Sequence, residues 1–438
     1  RTDAGVSAAG QVIALWVRSR CVDERALRDF SGDAAEMPAP ERLGSGEELP
    51  YVATLNRLLP PSIRIQAWSP VRADFSARFD CTYRHYKYFF TLGAPSALAW
   101  QPGSGSQFAN RLDVDRMRDA ASRLLGEHDF RNLCKVDASK QITNFVRRID
   151  GATIDAVPIG WPTAQDTPVV MPDTEATESM YVLNLRGSAF LYHQVRNIMA
   201  VLFLVGARLE DPSIVDELVN VRAGAAAQDR AQALATLSDD APGYARLRAL
   251  PAVSEALDVY ETKPSYEMAA DRPLMLWECG FRADDVQWRA CANDTMDAVR
   301  ADALDFTPTL RATANLHAQW TREAIHAELL RHFTIASATT ATTTLPASTS
   351  FEASRTPRLP VPTLVTPQAP RAQLVPLGNG ALRPTTKYTP MVRRPRDVSA
   401  SAKNEKWREG KGRRRAERRA AAMADEESGA VVSPDPTI

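Results

Sequence analysis

Residues 190–205 read FLYHQVRNIMAVLFLV, and this stretch decides the fold more than any other part of the 438-residue chain. Eight apolar residues in a row, from Ile198 to Val205, predict a helix that is buried in the core. Glycine is typical of the position just after a helix, so we expect this helix to end at Gly206. A membrane-spanning helix needs about 20 apolar residues, and this run is far too short for that role.

Strands and further helices are predicted on both sides of this segment. Residues 86–92 are rich in aromatic side chains, and residues 145–156 and 180–186 also have patterns typical of strands. Helical spacing covers residues 51–59 and 113–125. Strands therefore alternate with helices, without a Gly-rich phosphate loop, and this order predicts an α+β fold with mixed and antiparallel sheets.

Two more strands are predicted in the first 70 residues. Residues 11–17, QVIALWV, form a short apolar run that is typical of a strand buried in a sheet. Residues 63–68, IRIQAW, largely alternate apolar and polar side chains, as a half-buried strand does. Residues 31–50 and 157–178 are polar and rich in Gly or Pro, so we interpret them as inserts, for which the sequence indicates no function.

The chain changes character after about residue 285. Residues 286–334 keep some helical spacing and are interpreted as a helical extension. Residues 335–385 consist mainly of Thr, Ala, Ser and Pro, a composition that cannot bury enough apolar surface to fold, so they are interpreted as a low-complexity linker. Residues 386–438 form a basic tail, and we expect a disordered C-terminal extension.

The zero net charge of the chain, from 53 basic and 53 acidic residues, hides three unlike regions. Residues 1–150 carry 21 basic against 18 acidic side chains, and residues 391–420 carry twelve against four. The acidic excess lies between them, so neutrality does not argue against a nucleic-acid partner. The five cysteines are scattered, with no CxxC pair and no histidine at ligand spacing, so neither a disulfide framework nor a structural zinc is expected.

Four short blocks occur in order along about 200 residues: RTDAGVSA at 1–8, FSARF with RHYKY at 75–88, GEHDF at 126–130 and FLYHQVRN at 190–197. Together they resemble the signature of the TruA-type tRNA pseudouridine synthases. The sequence begins RTD, without an initiator Met or a secretory signal, and that family normally has a strand before this motif. We therefore expect a fragment or a truncated first half.

Shorter matches look like the eukaryotic branch of the family, which modifies uridines 38 and 39 of the anticodon stem-loop. The resemblance covers roughly residues 1–285, with a fainter echo at Lys387–Arg415. It implies two ferredoxin-like halves, 1–100 and 101–285, that flank a basic cleft. It also implies tRNA as partner, a homodimer, and a location in the nucleus or cytoplasm. The matches are NRLLP at 56–60, AWSPV at 67–71, FRNLCK at 130–135 and YEMA at 266–269.

The implied reaction needs no cofactor. Pseudouridine forms when the bond from N1 of uracil to the sugar breaks and the rotated base rejoins through C5, so nothing is oxidised and no group is imported. An aspartate carboxylate is already ionised at neutral pH and can act as nucleophile. The resemblance assigns this role to Asp3, with Arg196 as the cation beside it and Tyr86 against the target base. It is also consistent with no metal and no membrane partner.

Each of these residues also has an ordinary structural interpretation. Asp3 precedes Gly5 and is of a type that often shapes a turn. Tyr86 lies in an aromatic strand, where core packing is common, and Tyr88 on the same face is interpreted as packing. Arg196 lies in an apolar helix, where it points either to a partner or to the surface.

The remaining candidates would bind substrate. Arg1 resembles the arginine that holds the flipped-out nucleotide, because a stacked base must leave its stem to react. Arg78, Arg84 and Lys87 flank the Tyr86 strand and are candidates for phosphate contacts, although solvated surface charge is the commoner explanation. His193 is interpreted as structural. The basic tail indicates either RNA-backbone binding or a nuclear localisation signal.

Two rival functions stay open at this point. The first is a non-catalytic tRNA-binding or tRNA-folding protein on the same scaffold, against which intact Asp3, Tyr86 and Arg196 argue. The second is a synthase with another target, such as a bacterial-type range over positions 38 to 40 or another RNA.

Overall fold

The structure is a computed structural model that describes residues 2–19, 49–92, 112–157, 180–289, 308–340, 373–380, 382–385, 387–418 and 420. Nearly all of both predicted inserts lies outside these residues, as does Arg1. The chain divides into two compact units. Unit 1 comprises Arg1–Gln11, Tyr83–Cys279 and Gln368–Ile438, and unit 2 comprises Val12–Thr82 and Gly280–Pro367.

Unit 1 is built on a six-stranded mixed sheet with the order β1-β6-β2-β5-β4-β3. Strands β2, β5, β4 and β3 pair antiparallel in turn, whereas β1 runs parallel to β6. The predicted α+β class with a mixed sheet is confirmed. The strands are β1 (Ser7–Ala8), β2 (Tyr83–Thr91), β3 (Gly126–Asp129), β4 (Val146–Val157), β5 (Met180–Gly187) and β6 (Leu274–Gly280).

Strand register separates the two faces of β2. Tyr86 lies opposite Leu185 and Tyr88 opposite Leu183, so both tyrosines are on one face of the sheet. Tyr88 is fully buried against Phe203, and its hydroxyl donates to the carbonyl of Ala270 at 3.0 Å. The interpretation of Tyr88 as a packing residue is confirmed.

Helix α3 (Gln194–Gly206) is the centre of the unit 1 core, because every residue in it except Arg196 is buried. The predicted buried helix is therefore confirmed. It begins after His193, whose left-handed backbone (φ 58°) ends the preceding turn. Around it lie α2 (Val114–Ser122), α4 (Ile214–Val219), α5 (Ala225–Thr236) and α6 (Tyr244–Ala249).

The predicted disordered C-terminal extension is wrong for its first part. Strands β7 (Gln373–Pro376) and β8 (Leu382–Thr385) form a hairpin, and α8 (Ala400–Trp407) follows. Met391 is fully buried within the unit 1 core and Asn404 is only 3% exposed. The composition of this segment shows its charges, but it does not show that Met391 and Asn404 anchor the segment on unit 1.

Unit 2 contains α1 (Tyr51–Leu58), close to its predicted range, and the long α7 (Pro308–Thr340). The predicted strands at 11–17 and 63–68 are wrong, since only Trp68 makes a bridge, to Arg289. Ile13 and Trp16 are 64% and 80% exposed, and an apolar run forms a strand only when another strand pairs with it. Two ferredoxin-like halves and the basic cleft remain predictions.

None of the helices in the described ranges is long and apolar enough to cross a membrane.

Candidate active site

Asp3 is the first residue of a tight turn over residues 3–6. The amide of Val6 donates to the carbonyl of Asp3 at 3.2 Å, and Gly5 has a positive φ of 82°. A Cβ at Gly5 would lie 2.6 Å from Oδ2 of Asp271, so only glycine fits this turn. The turn uses the main chain of Asp3 and leaves its carboxylate available, so the structural and the chemical interpretations of Asp3 are compatible.

The carboxylate of Asp3 faces the start of α3. Its Oδ2 lies 3.4 Å from Nε2 of His193, and the two side chains are 28% and 10% exposed respectively. His193 is the residue that immediately precedes the helix, so the positive end of the helix dipole also lies on this side. A partly buried carboxylate is thereby held near an imidazole and a helix N-terminus.

His193 is an uncharged partner in this pair at neutral pH. Burial lowers its pKa below the ordinary 6.5, Asp3 opposes this shift, and the positive charge of Arg196 adds to it. Its Nδ1 is buried and has no hydrogen-bond partner in the described part of the chain. The interpretation of His193 as only structural therefore missed its proximity to Asp3, although its place in the FLYHQVRN block was a signal.

Arg196 lies one turn into the same helix and is its one half-buried residue. Its Nε donates to the carbonyl of Ala269 at 2.8 Å, and the amide of Ala269 donates back to the carbonyl of Arg196 at 3.3 Å. Among the described residues, His193 rather than Arg196 is the basic side chain within 4.0 Å of Asp3. Arg196 is close enough to lower the pKa of His193, so the three groups share one local field.

A series of hydrogen bonds through Asn197 and Lys263 fixes the backbone of His193. Nδ2 of Asn197 donates to the carbonyl of His193 at 2.8 Å, and the ammonium of Lys263 donates to Oδ1 of Asn197 and to the carbonyl of Cys134. Burial lowers the pKa of Lys263 to about 8. The sequence analysis missed Lys263 and Asn197, because a lone lysine far along the chain carries no signal of contact with this helix.

Tyr86 lies on the face of β2 that packs against the core. Its ring meets Phe190 edge to face, with centroids 5.2 Å apart and planes at 85°. Phe190 belongs to the same block as His193 and Arg196, so the start of α3 and the Tyr86 strand are neighbours. Tyr86 is partly buried, which leaves part of the ring accessible.

The predicted phosphate-binding residues are distributed over separate places. Arg84 uses Nη1 to hold the carbonyl of Ser188 at 2.6 Å. Lys87 faces the opposite side of β2 from Tyr86, because side chains alternate along a strand, and its Nζ lies 3.7 Å from the ring centroid of Trp277. Arg78 belongs to unit 2, where its guanidinium lies 5.0 Å from the ring of Phe79. Arg1 lies outside the described residues.

The described ranges contain no cluster of three or more His, Cys, Asp or Glu side chains that would hold a metal ion. What they do contain is a carboxylate next to a neutral imidazole, an arginine on the same helix end, and a tyrosine ring that contacts the adjoining aromatic residue. This set offers a carboxylate, an imidazole and an aromatic surface within one region of unit 1. It suits chemistry on a flat, polar ring.

The sequence profile of a family described as tRNA pseudouridine synthase matches residues 120–239. That range contains β3, β4, β5 and α3 together with His193 and Arg196. Residues 120–239 of this chain therefore match the tRNA pseudouridine synthase family, whose TruA-type signature the four motif blocks resemble.

Two eukaryotic relatives, each called tRNA pseudouridine(38/39) synthase, are similar over about two thirds of this chain. The Homo sapiens protein is 36% identical over 291 residues, which is 66% of this chain and 46% of that protein. The Saccharomyces cerevisiae protein is 36% identical over 301 residues, 68% of this chain and 48% of that protein. The chain spans about half the length of these curated relatives.

A bacterial relative, tRNA pseudouridine synthase A of Bordetella petrii, is 33% identical over 206 residues. That match covers 47% of this chain and 59% of the bacterial protein. The similarity is therefore longer with the eukaryotic proteins than with this bacterial one.

Proposed function

We propose that this protein converts uridine to pseudouridine in tRNA, at positions 38 and 39 of the anticodon stem-loop. The names of the human and yeast relatives support the substrate and the positions. The single structural observation that supports the chemistry is the half-buried carboxylate of Asp3 beside Nε2 of His193. Asp3 is the proposed nucleophile.

The reaction is an isomerisation, so its atoms balance within the nucleotide. The carboxylate of Asp3 attacks the sugar or the base, and the bond from N1 to C1′ breaks. The freed uracil turns in place, C5 bonds to C1′, and the carboxylate is released unchanged. The proton on C5 leaves to a base, and N1 takes up a proton, so no oxidant, reductant or imported group is needed.

Three neighbours assist Asp3 in this proposal. Tyr86 stacks on the target base, and its hydroxyl assists removal of the proton from C5. Arg196 stabilises the negative charge on Asp3 and on the detached uracil. His193, neutral at pH 7, presents Nε2 at 3.4 Å from the carboxylate and orients it, since the polar chain through Asn197 fixes its backbone.

The decisive experiment replaces Asp3 by Ala and by Asn in the full chain. Pseudouridine formation on an anticodon stem-loop in a single-turnover assay should be lost with both variants, while tRNA binding stays within about twofold. Asp74 offers a matched control, because it is an aspartate that is 80% exposed and belongs to unit 2. Activity in Asp3→Ala would contradict the assignment, and a wild-type protein that binds tRNA without turnover would indicate a non-catalytic tRNA-binding protein.

The positions are tested separately by mapping pseudouridine in RNA from cells that lack the protein. Loss at 38 and 39 alone is expected. Loss at position 40 as well, or in another RNA, would assign a different target to the same chemistry.

The family resemblance also leads us to propose a homodimer located in the nucleus, the cytoplasm or both. Light scattering on the purified chain measures the first and a tagged chain in cells the second. A monomer with full activity would contradict the dimer.

A further inference from the structure

Residues 387–418, here called the basic arm, combine a high positive charge with a fixed position on unit 1. They contain twelve Lys and Arg residues against four Asp and Glu residues, a net charge of +8. A run with this composition normally stays solvated and mobile. Here it is ordered, so its charges are held in place before any partner arrives.

Two anchors at its beginning tie the basic arm to the core. Met391 is fully buried, and its amide donates to Oε1 of Glu210 at 2.7 Å. The hydroxyl of Tyr388 donates to the same carboxylate oxygen. A buried methionine and a carboxylate oxygen that accepts two hydrogen bonds fix this part of the arm on unit 1, since a mobile tail would not keep such contacts.

Two more anchors lie further along. Asn404 is 3% exposed, its Nδ2 donates to the carbonyl of Ile142 at 3.1 Å, and its carbonyl accepts from Nε2 of Gln141. The amide of Asp397 donates to the carbonyl of Lys263 at 2.7 Å. Lys263 is the residue whose ammonium holds Asn197 behind His193, so the basic arm and the candidate active site share one segment of the chain.

The cations of the arm are mostly left without an ion pair. Seven of them are exposed and make neither an ion pair nor a side-chain hydrogen bond within the described ranges, whereas Lys403 and Arg413 are paired with Asp397 and Glu417, and Arg396 donates to the carbonyl of Val259. Six of the seven lie between Lys406 and Arg418. A helix over these residues is about 18 Å long, so the six charges are close together. The seven are Arg393, Lys406, Arg408, Lys411, Arg414, Arg415 and Arg418.

We propose that the basic arm is a preformed phosphate-binding surface, which holds the backbone of the tRNA outside the nucleotide that reacts. The proposal rests on the proposed function. Unpaired like charges repel one another, and a polyanion neutralises them with release of its counterions. Because the arm is ordered in the folded protein, binding does not carry the cost of ordering it. Contacts with phosphate add affinity without sequence information.

The test neutralises two cations of the arm in the full chain, with Arg414→Gln and Arg415→Gln combined. The control combines Arg222→Gln with Arg248→Gln, which removes the same charge from two exposed arginines elsewhere on unit 1. Affinity for full-length tRNA is measured by fluorescence anisotropy between 50 and 200 mM salt. The arm variant should bind about tenfold more weakly, with a slope of log K against log salt that is smaller by about 1.4 to 1.8.

Turnover at saturating tRNA should stay within about twofold for both variants, since the arm touches no reacting atom. All replaced side chains are exposed, so the unfolding temperature should not change. A second arm variant, Lys411→Gln with Arg418→Gln, should repeat the loss of affinity and slope. This second pair guards against a purely local effect of the first.

Equal affinity and slope for the arm variants and the control would overturn the proposal. So would arm variants that bind tRNA normally but no longer bind a nuclear carrier of basic peptides, since the arm would then be a localisation signal. Binding is read independently of turnover. A wild-type chain that binds tRNA through the arm but forms no pseudouridine would refute the proposed function and leave the arm assignment intact.

Discussion

The two ends of α3 are built for different purposes. At its first turn, the buried atoms Nδ1 of His193 and Nε2 of Gln194 have no hydrogen-bond partner among the described residues, and Arg196 is half-buried. At its last turn, Val205 and Gly206 are buried, and Gly206 packs against the side chains of Met117 and Leu112. One helix thus carries unsatisfied polar atoms at one end and close packing at the other.

The first turn of α3 lowers the stability of the fold, whereas the last turn raises it. A buried polar atom without a partner costs about 1 to 3 kcal/mol, so two of them side by side disfavour folding. They lie next to Asp3, where orientation of charged groups matters more than stability. The apolar end offsets that cost. Substitutions at the last turn should therefore change the free energy of unfolding but not the reaction rate. Substitutions at the first turn should mainly change the reaction rate.

The largest effect is expected for Gly206→Leu. A Cβ at this position would lie 2.6 Å from Sδ of Met117 and 3.0 Å from Cδ2 of Leu112, and Met117 is fully buried. Overpacking should lower the free energy of unfolding by about 3 kcal/mol, measured by urea denaturation. Turnover by the folded fraction should stay normal.

Gly410→Leu is the matched control, because no atom lies within 4 Å of a Cβ built there. It should leave the unfolding free energy within about 0.5 kcal/mol of wild type. If Gly206→Leu were as stable as Gly410→Leu, the last turn of α3 would not be closely packed.

The next effect concerns Arg196 at the first turn. Arg196→Gln removes a positive charge close to the Asp3 and His193 pair and should lower the single-turnover rate about 100-fold. Arg196→Lys keeps the charge but loses the planar donor to Ala269, so an intermediate loss of about tenfold is expected. Both variants should bind tRNA within about threefold of wild type.

Arg147, a half-buried arginine of β4 that is bonded to nearby main-chain carbonyls, provides the control substitution Arg147→Gln. Its rate should stay within about twofold of wild type. Full activity in Arg196→Gln would mean that Arg196 only ties α3 to the segment at Ala269.

The elements that the sequence predicted well are those whose pattern is local. The apolar run of α3, the aromatic strand β2 and the capped helix α2, where Asp113 accepts from the amide of Arg116, all carry their signal within a few residues. The expected end at Gly206 was right for a different reason. Gly206 is the last helical residue and its small size permits close packing, whereas the left-handed residue after the helix is Arg208.

The remainder depends on partners that no local pattern contains. Residues 11–17 are apolar but pair with no strand in the described structure, and the basic arm is polar but anchored by Met391 and Asn404. The site divides in the same way. The motif blocks pointed to Asp3, Tyr86 and Arg196, whereas the contact of Asp3 with His193 and the support from Lys263 depend on residues that are 190 and 66 positions apart.

The smallest and most specific effect is expected for His193→Gln. Burial holds the pKa of His193 below 6.5, so wild-type activity should fall only as the pH drops below that value and His193 becomes charged beside Asp3. A protonated imidazole binds the carboxylate more tightly and makes it a poorer nucleophile. Glutamine keeps a neutral donor, so the variant should lose about threefold in rate at pH 7.5 yet keep that rate at lower pH.

Stability should follow the same titration. Because the pKa of His193 is lower in the folded than in the unfolded state, the unfolded chain takes up a proton first as the pH falls below 6.5. The free energy of unfolding therefore decreases with falling pH in that window and is unaffected above it. His85, whose pKa burial also lowers, gives the control His85→Gln, which should reduce the stability slope and leave the acid limb of activity in place. An unchanged acid limb in His193→Gln would separate His193 from the chemistry and return it to a structural role.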